Sequence, residues 1–318
     1  MMLSRSADNL YWIARYMERA ENLSRILRVT DRLSLMPASA EGVEEGIGNE
    51  WHSTLVVSDC EKGFYEKYDE ATAENVIAYL AFDPDNLSSI RSCIEAARRN
   101  ARSVRTALTS EQWECLNSTW LELSRLKESR LRGGGLHGFL DWVKERTLMF
   151  HGGTVATMLR RDSFHFMQLG TFIERGDNTA RILDVKYHVL LPEHAEVGGG
   201  LDYYQWASIL RAVSGYRSYH ALYKEGIKPW HVAEFLIMRE EMPRSLVACT
   251  ARVKDCLDEL AEEYGQRHES HRMAGRRYSQ LRFGRVDDVF RQGLHDFLEE
   301  FIDQNNKLGD EISRSYLM

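Results

Sequence analysis

The chain is predicted to be all-α: two sequence-related multi-helix halves, about six helices each, packed as one pseudo-twofold helical body. Two observations predict helices. Only five prolines occur in 318 residues. Apolar residues recur at helical spacing nearly throughout, with no convincing alternating strand or Asn-Gly hairpin. A third observation predicts the halves. Residues 16–29 read YMERAENLSRILRV and residues 172–185 read FIERGDNTARILDV, an offset of 156 (174 minus 18). Glu18/Glu174, Arg19/Arg175, Asn22/Asn178, Arg25/Arg181, Ile26/Ile182, Leu27/Leu183 and Val29/Val185 are identical. Chance likeness between helices matches apolar positions; here charged and amide side chains are kept. The offset persists at Val57/Val213, Leu80/Leu236, Ser89/Ser245 and Cys93/Cys249, and at 155 for Pro37/Pro192 and Trp51/Trp206. A period this long points to duplication of a whole unit rather than a solenoid, whose repeats run roughly 20–50 residues. The halves are residues 1–156 and 157–318.

The first helix is expected from Ser6 to Leu35. Leu10, Ile13, Met17, Ala20, Ser24 and Leu27 form one stripe, and Trp12, Tyr16, Leu23 and Ile26 a second, so the helix should be central. Pro37–Asn49 reads as a Gly-rich acidic loop. Helices follow over 50–68, 71–82, 87–107 and 110–131, with Asp85 or Asn86 and Ser110 as candidate caps. Gly133–Gly135 end the last of these runs, and a helix over 137–151 precedes Gly152 and Gly153. A weak boundary falls near Gly152–Arg161. The second half repeats the plan with 162–191, a loop from Pro192 to Leu201, then 203–224, 230–240, 243–264, 270–283 and 286–312. No polar linker divides the halves, so they should share a large apolar interface.

A chain this long exceeds the usual single-core size of about 100–200 residues. Its 43% hydrophobic content can fill two cores. Net charge −7 and a pI near 5.9 disfavour a nucleic-acid binder, which needs basic excess. The N-terminal MMLSRSADNLYW lacks the apolar core of a signal peptide, and no run of about 18 apolar residues predicts a membrane span. The five cysteines form no CxxC, so free buried thiols in a reducing cytoplasm are expected.

Glu18, Asn22 and Arg25 are spaced i, i+4, i+7 and share a helix stripe, as do Glu174, Asn178 and Arg181. Apolar residues bracket both sets, and Ala14 or Gly170 stands one turn before the glutamate, where a small side chain permits close approach. A partly buried polar patch follows. One reading is a hydrogen-bonded network in which antiparallel copies pair Glu18 with Arg181 and Glu174 with Arg25. The other is a cleft where guanidiniums clamp a carboxylate or phosphate and glutamates hold an amine, a metal or a proton.

No histidine has a glutamate three residues before it, which disfavours a dimetal bundle site. His268 with His271, and His188 with His194, read as exposed rather than metal-binding. Cys249 and Cys256 read as core. The basic stretches 98–105 and 267–285 read as solvated helix faces. No GxSxG, P-loop or Rossmann fingerprint occurs. No metal or cofactor is expected.

The opening MLSRSADNLYWIARYMERAENLSRIL resembles the motifs of the bacterial alpha-E family, an α-helical domain with characteristic glutamates. FDPDNLSSIRSCIEAARRNARSVR, MREEMPRSLVAC and FMQLGTFIERGDNTARILDVKYHVLLP extend the resemblance over most of the chain. It places the glutamate motif on Glu18 with Arg19, Asn22 and Arg25, and on Glu174 with Arg175, Asn178 and Arg181. Gly176 stands where an alanine is usual. Members tend to be encoded beside, or fused to, a circularly permuted ATP-grasp-like protein, often with a transglutaminase-like protein nearby. The resemblance implies an accessory subunit that helps bind or present a peptide or amino acid. Two alternatives are an enzyme using Glu18 and Glu174, and a homodimeric scaffold.

Overall fold

The computed structural model describes residues 2–35, 50–127, 134–190 and 200–317. Among them are fifteen α-helices and no strand. Two long helices form the centre: α1 (Ser4–Ser34) and α8 (Asp162–Leu190). Both stripes read on α1 are covered: Leu10, Ile13, Met17 and Leu27 on one, and Leu23 and Ile26 on the other, are all buried. A helix buried on opposite faces needs neighbours on both, which fixes it at the middle.

α1 and α8 run in parallel. Tyr11 and Ala14 meet Gly170, Glu18 meets Arg175, and Ile26, Val29 and Leu33 share a cluster with Ala180, Ile182 and Leu183. Gly170 makes their approach possible: a Cβ there would lie 2.2 Å from the Tyr11 carbonyl oxygen and 3.2 Å from the Ala14 Cβ. The small pair expected at this turn is thus the point where the backbones touch.

The other helices wrap this pair. α2 (Glu50–Val57), α3 (Glu61–Tyr65), α4 (Ala73–Ala81), α5 (Ile90–Ser103), α6 (Ser110–Leu123) and α7 (Gly135–Thr157) precede α8. After it come α9 (Gly200–Ala212), α10 (Tyr216–Leu222), α11 (Pro229–Ile237), α12 (Leu246–Tyr264), α13 (Glu269–Phe283), α14 (Val286–Gln292) and α15 (Leu294–Ile312). α5 and α7 pack on α1, while α12 and α15 pack on α8. Two helices cross over: α2 packs on α8 and α9 on α1. One apolar cluster joins α1 to α8 near their N-termini, a second joins them farther along with the helices after α8, and a third packs α1 on the helices before α8.

Three expected helices are broken. The run 50–68 splits where Asp59 takes φ 54, and 203–224 splits where Ser214 takes φ 58. The run 286–312 splits at Gly293, φ 101. Positive φ is enriched at Asp but is uncommon in any non-glycine, too weak a mark to stop the periodicity at either polar turn. Residues 87–107 shorten to α5, capped by Ser89 rather than Asp85 or Asn86, and Thr109 rather than Ser110 caps α6 in a capping box with Gln112. α7 continues through Gly152 and Gly153 to Thr157; a Cβ at Gly152 would meet open space and one at Gly153 only the Glu111 Cβ at 4.0 Å. The chain therefore has seven helices before α8 among the described residues, against six expected. The loop 37–49 and residues 192–199 lie outside them, as do Gly133 and the end of the run to 131.

Candidate functional site

Where α1 and α8 lie side by side, each glutamate of the repeated motif meets an arginine of the other helix. Arg175 donates from Nε to Glu18 Oε1 at 2.9 Å and from Nη2 to Oε2 at 2.8 Å. Arg19 donates from Nε to Glu174 Oε1 at 2.6 Å and from Nη2 to Oε2 at 3.1 Å. Both are bidentate forks, the strongest arginine–carboxylate geometry. The expected partners were Arg181 for Glu18 and Arg25 for Glu174. Parallel helices overturn that pairing, because they set equal heights side by side.

Arg25 and Arg181 do something else. Each holds an acid one turn back on its own helix: Arg25 Nε donates to Glu21 Oε1 at 2.9 Å, and Arg181 Nε to Asp177 Oδ2 at 2.7 Å. Each then reaches across the molecule to a helix end. Arg25 Nη1 donates to the Ala212 carbonyl, the last residue of α9, and Arg181 Nη1 to the Val57 carbonyl at 2.9 Å, the last of α2. Final carbonyls of a helix lack internal donors and carry partial negative charge, so a guanidinium satisfies both needs. Asn178 donates to the Glu174 carbonyl at 2.6 Å, whereas both amide atoms of Asn22 are buried without a partner.

The surroundings of the two glutamates differ. Arg244 bridges Glu18 Oε1 at 3.0 Å and Glu21 Oε1 at 2.6 Å. His151 Nε2 lies 3.0 Å from Glu18 Oε2 without a well-aligned hydrogen bond. Glu174 instead meets Arg15, whose Nε donates to Oε2 at 2.8 Å. Beside it opens a cavity of about 240 Å³ lined by Arg15, Arg19, Ser88, Asp177 and Arg181. Burial alone would raise both carboxyls, but the arginines outweigh it. Arg19 and Arg15 hold Glu174 down to about 2, and Arg175 and Arg244 hold Glu18 well below the usual carboxylate range.

The family model of Alpha-E, described as a predicted alpha-helical domain with a conserved ER motif, matches residues 2–317. The chain belongs to the Alpha-E family. Glu18-Arg19 and Glu174-Arg175 are the Glu-Arg pairs at the centre of this Alpha-E fold, and each pair donates and accepts across the interface. Two uncharacterized proteins, from Mycobacterium bovis and Mycobacterium tuberculosis, are each 25% identical to the chain over 187 residues. The match covers 54% of this chain and 21% of each relative, so the matched region is about a fifth of their length. No solved structure matches.

Glu18, Glu21 and His151 bring ligand-type atoms within 4.8 Å of one another. In this Alpha-E chain Arg175, Arg244 and Arg25 already donate to those carboxylates, so a metal ion would have to displace guanidiniums there. His271, expected to be exposed, is buried: its Nδ1 accepts from the His268 N–H and its Nε2 bonds the Leu257 carbonyl at 2.9 Å. The side chains of His188 and His194 lie outside the described residues. All five cysteines are free and buried, with burial pushing Cys93 and Cys249 up to about 12.

Five residues of the site were not read from the sequence: Arg15, Glu21, His151, Asp177 and Arg244. Glu21 and Asp177 were recoverable, since both are acidic at the same offset of 156. Nothing local marks the other three.

Proposed function

We propose that this chain is a non-catalytic helical partner of a circularly permuted ATP-grasp-like enzyme, helping to bind or present a peptide-like or amino-acid substrate. The observation that carries the reading is that every oxygen of Glu18 and Glu174 is taken by an arginine donor. A general acid or base needs a free lone pair and a pKa near working pH. Both carboxyls are held well below working pH and each oxygen is already engaged, which favours a body built to hold shape. The mycobacterial relatives support association, because there the matched region is a minor part of a longer chain. We read residues 1–156 and 157–318 as duplicated halves about a pseudo-twofold axis between α1 and α8. Among the described residues no helix is long and apolar enough to cross a membrane, and a cytoplasmic setting suits the reduced thiols.

Co-purification with the neighbouring ATP-grasp-like protein, followed by ATP turnover on amino acids and short peptides, tests this. A stable complex is expected, with Glu18→Gln and Glu174→Gln losing complex only as far as they lose folded protein. Amide chemistry by the isolated chain, abolished in a folded Glu174→Gln variant, would refute it.

A second reading, a homo-oligomeric scaffold, draws on one surface. α7 and the turn after it expose Leu148, Met149, Val155 and Leu159, a helical stripe of apolar side chains. Mass in solution separates the two: concentration-dependent dimers favour the scaffold, and a monomer leaves the stripe to a different protein.

A further inference from the structure

A cavity of about 260 Å³ opens between α8, α12, α13 and α15, where two apolar clusters meet. Val253 and Leu308 in its wall belong to the cluster near the N-termini of α1 and α8, and Phe301 to the one farther along. Gly176 of α8 completes that wall, at the position where the first half has the buried Ala20 (176 minus 156). A Cβ on Gly176 would sit in ordinary contact, 3.5 Å from both Cys249 Cβ and Phe301 Cζ. The missing methyl is therefore space that the neighbours have not closed.

Arg277 lines this cavity and is partly buried. Its guanidinium lies over the Phe301 ring, 4.3 Å from the centroid, which fixes its place. Nη1 donates to Gln304 Oε1, and Nε is buried without a partner. Nη2 also donates to nothing among the described residues, but unlike Nε it is not sealed from solvent. Burial pushes Arg277 down to about 10, and Glu300 and Asp303 offset this only as charges, without a bond to it. Arg19 and Arg175, by contrast, each fork a carboxylate. A partly buried guanidinium with unmet donors is costly, and an incoming acceptor relieves that cost.

The acid in the lining does not supply the acceptor. Glu300 accepts from Gln292 Nε2 at 2.9 Å through one oxygen and from Gln304 Nε2 through the other. Gln304 thus stands between the two charges, accepting from Arg277 and donating to Glu300. Arg276 and Lys307 line the same cavity, Lys307 sharing Asp303 at 2.6 Å. The lining therefore holds three cations against one acid. A neighbouring cavity of about 210 Å³ also reaches Arg277, but it adds Arg285 and Asp288, whose charges cancel. The positive excess belongs to the first.

We propose that the cavity between α8, α12, α13 and α15 binds a small organic carboxylate, its anion received at Arg277 Nη2 and its apolar body lying against Val253, Met273 and Leu308. A monoanion suits the site, because the apolar wall would leave the remaining oxygens of a phosphate without donors. The site lies apart from the glutamate forks and stands whether or not the ATP-grasp-like partner exists.

Hexanoate, N-acetylleucine, neutral hexanamide and inorganic phosphate are titrated into the whole protein and followed by calorimetry and thermal melting. Saturable binding of hexanoate or N-acetylleucine is expected, the stronger of the two distinguishing a free acid from the C-terminus of a chain. Arg277→Met should abolish it, and Arg277→Lys, which keeps the charge and loses the planar donors, should weaken it about tenfold. Gly176→Ala, in the first cavity alone, should also weaken it about tenfold by taking one methyl of space. Binding of phosphate in place of the carboxylates overturns the proposal, as does hexanamide binding as tightly as hexanoate. So does carboxylate binding that folded Arg277→Lys or Gly176→Ala leaves unchanged. Absence of binding by both carboxylates at millimolar concentration, with the wild type folded, overturns it as well.

Discussion

The Glu18 and Glu174 sides use the same parts to different ends. Each carries a bidentate Glu–Arg fork and an Arg that holds an acid and caps a distant helix. The third arginine separates them. Arg244 comes from the turn before α12 and ties both acids of its side together, whereas Arg15 comes from α1 itself and of the two acids binds Glu174 alone. Equal numbers of charges therefore give a sealed network in one place and a polar cavity in the other. The lesson is that a buried ionic network is defined by which element delivers each charge, since delivery decides what space remains.

The comparison can be broken most sharply at the forks. Glu18→Gln should destabilise by about 3–5 kcal/mol, because it strands Arg175 and Arg244 in a sealed interior. Glu174→Gln should cost about half as much, since water can enter beside Arg15 and Arg19. Urea unfolding measures both, and equal costs would show that the cavity does not hydrate its arginines. Gly170→Ala tests the contact that sets the register of both forks. Its helix propensity gains about 1 kcal/mol, yet the collision with the Tyr11 carbonyl should leave a net loss of about 1–3 kcal/mol.

Acid separates the sides more gently. Glu174 is held down to about 2 in the fold against an ordinary 4.5. Its contribution is therefore full above about pH 4.5 and is lost as pH falls through 2. Stability measured over that window should decline, and Glu174→Gln should flatten the decline. The smallest effect is expected at the asparagines. Asn22→Leu removes a buried amide that has no partner and should be neutral or stabilising by about 1 kcal/mol, while Asn178→Leu loses a bond to Glu174 and should cost about as much. Matched melting curves of the two variants decide it.

Much of this was legible in the sequence. The two central helices announced themselves by apolar stripes on both faces, and the small residues Ala14 and Gly170 by their place one turn before the glutamates. The repeated polar identities Glu18, Arg19 and Arg25 marked the site because buried polar residues tolerate little change in partner geometry; the partnerless Asn22 was repeated without that reason. Direction was not legible: side-chain spacing is the same for parallel and antiparallel helices, so the partners of the glutamates were misassigned. Nor was Arg244, which lies 223 residues from the Glu21 that it holds. The helix breaks at Asp59 and Ser214 escaped because one left-handed residue at a turn hardly disturbs the apolar periodicity on either side of it.

The crossed caps of Arg25 and Arg181 bear on how the chain is made. When α1 and α2 leave the ribosome, Glu18 has neither Arg175 nor Arg244, and the end of α2 waits for an arginine 124 residues later. The early segment thus carries unquenched charges and an unfinished helix until α8 emerges. Its synthesis order makes α8 the closing piece, and a chain arrested before residue 175 should be a substrate for chaperones rather than a stable fragment.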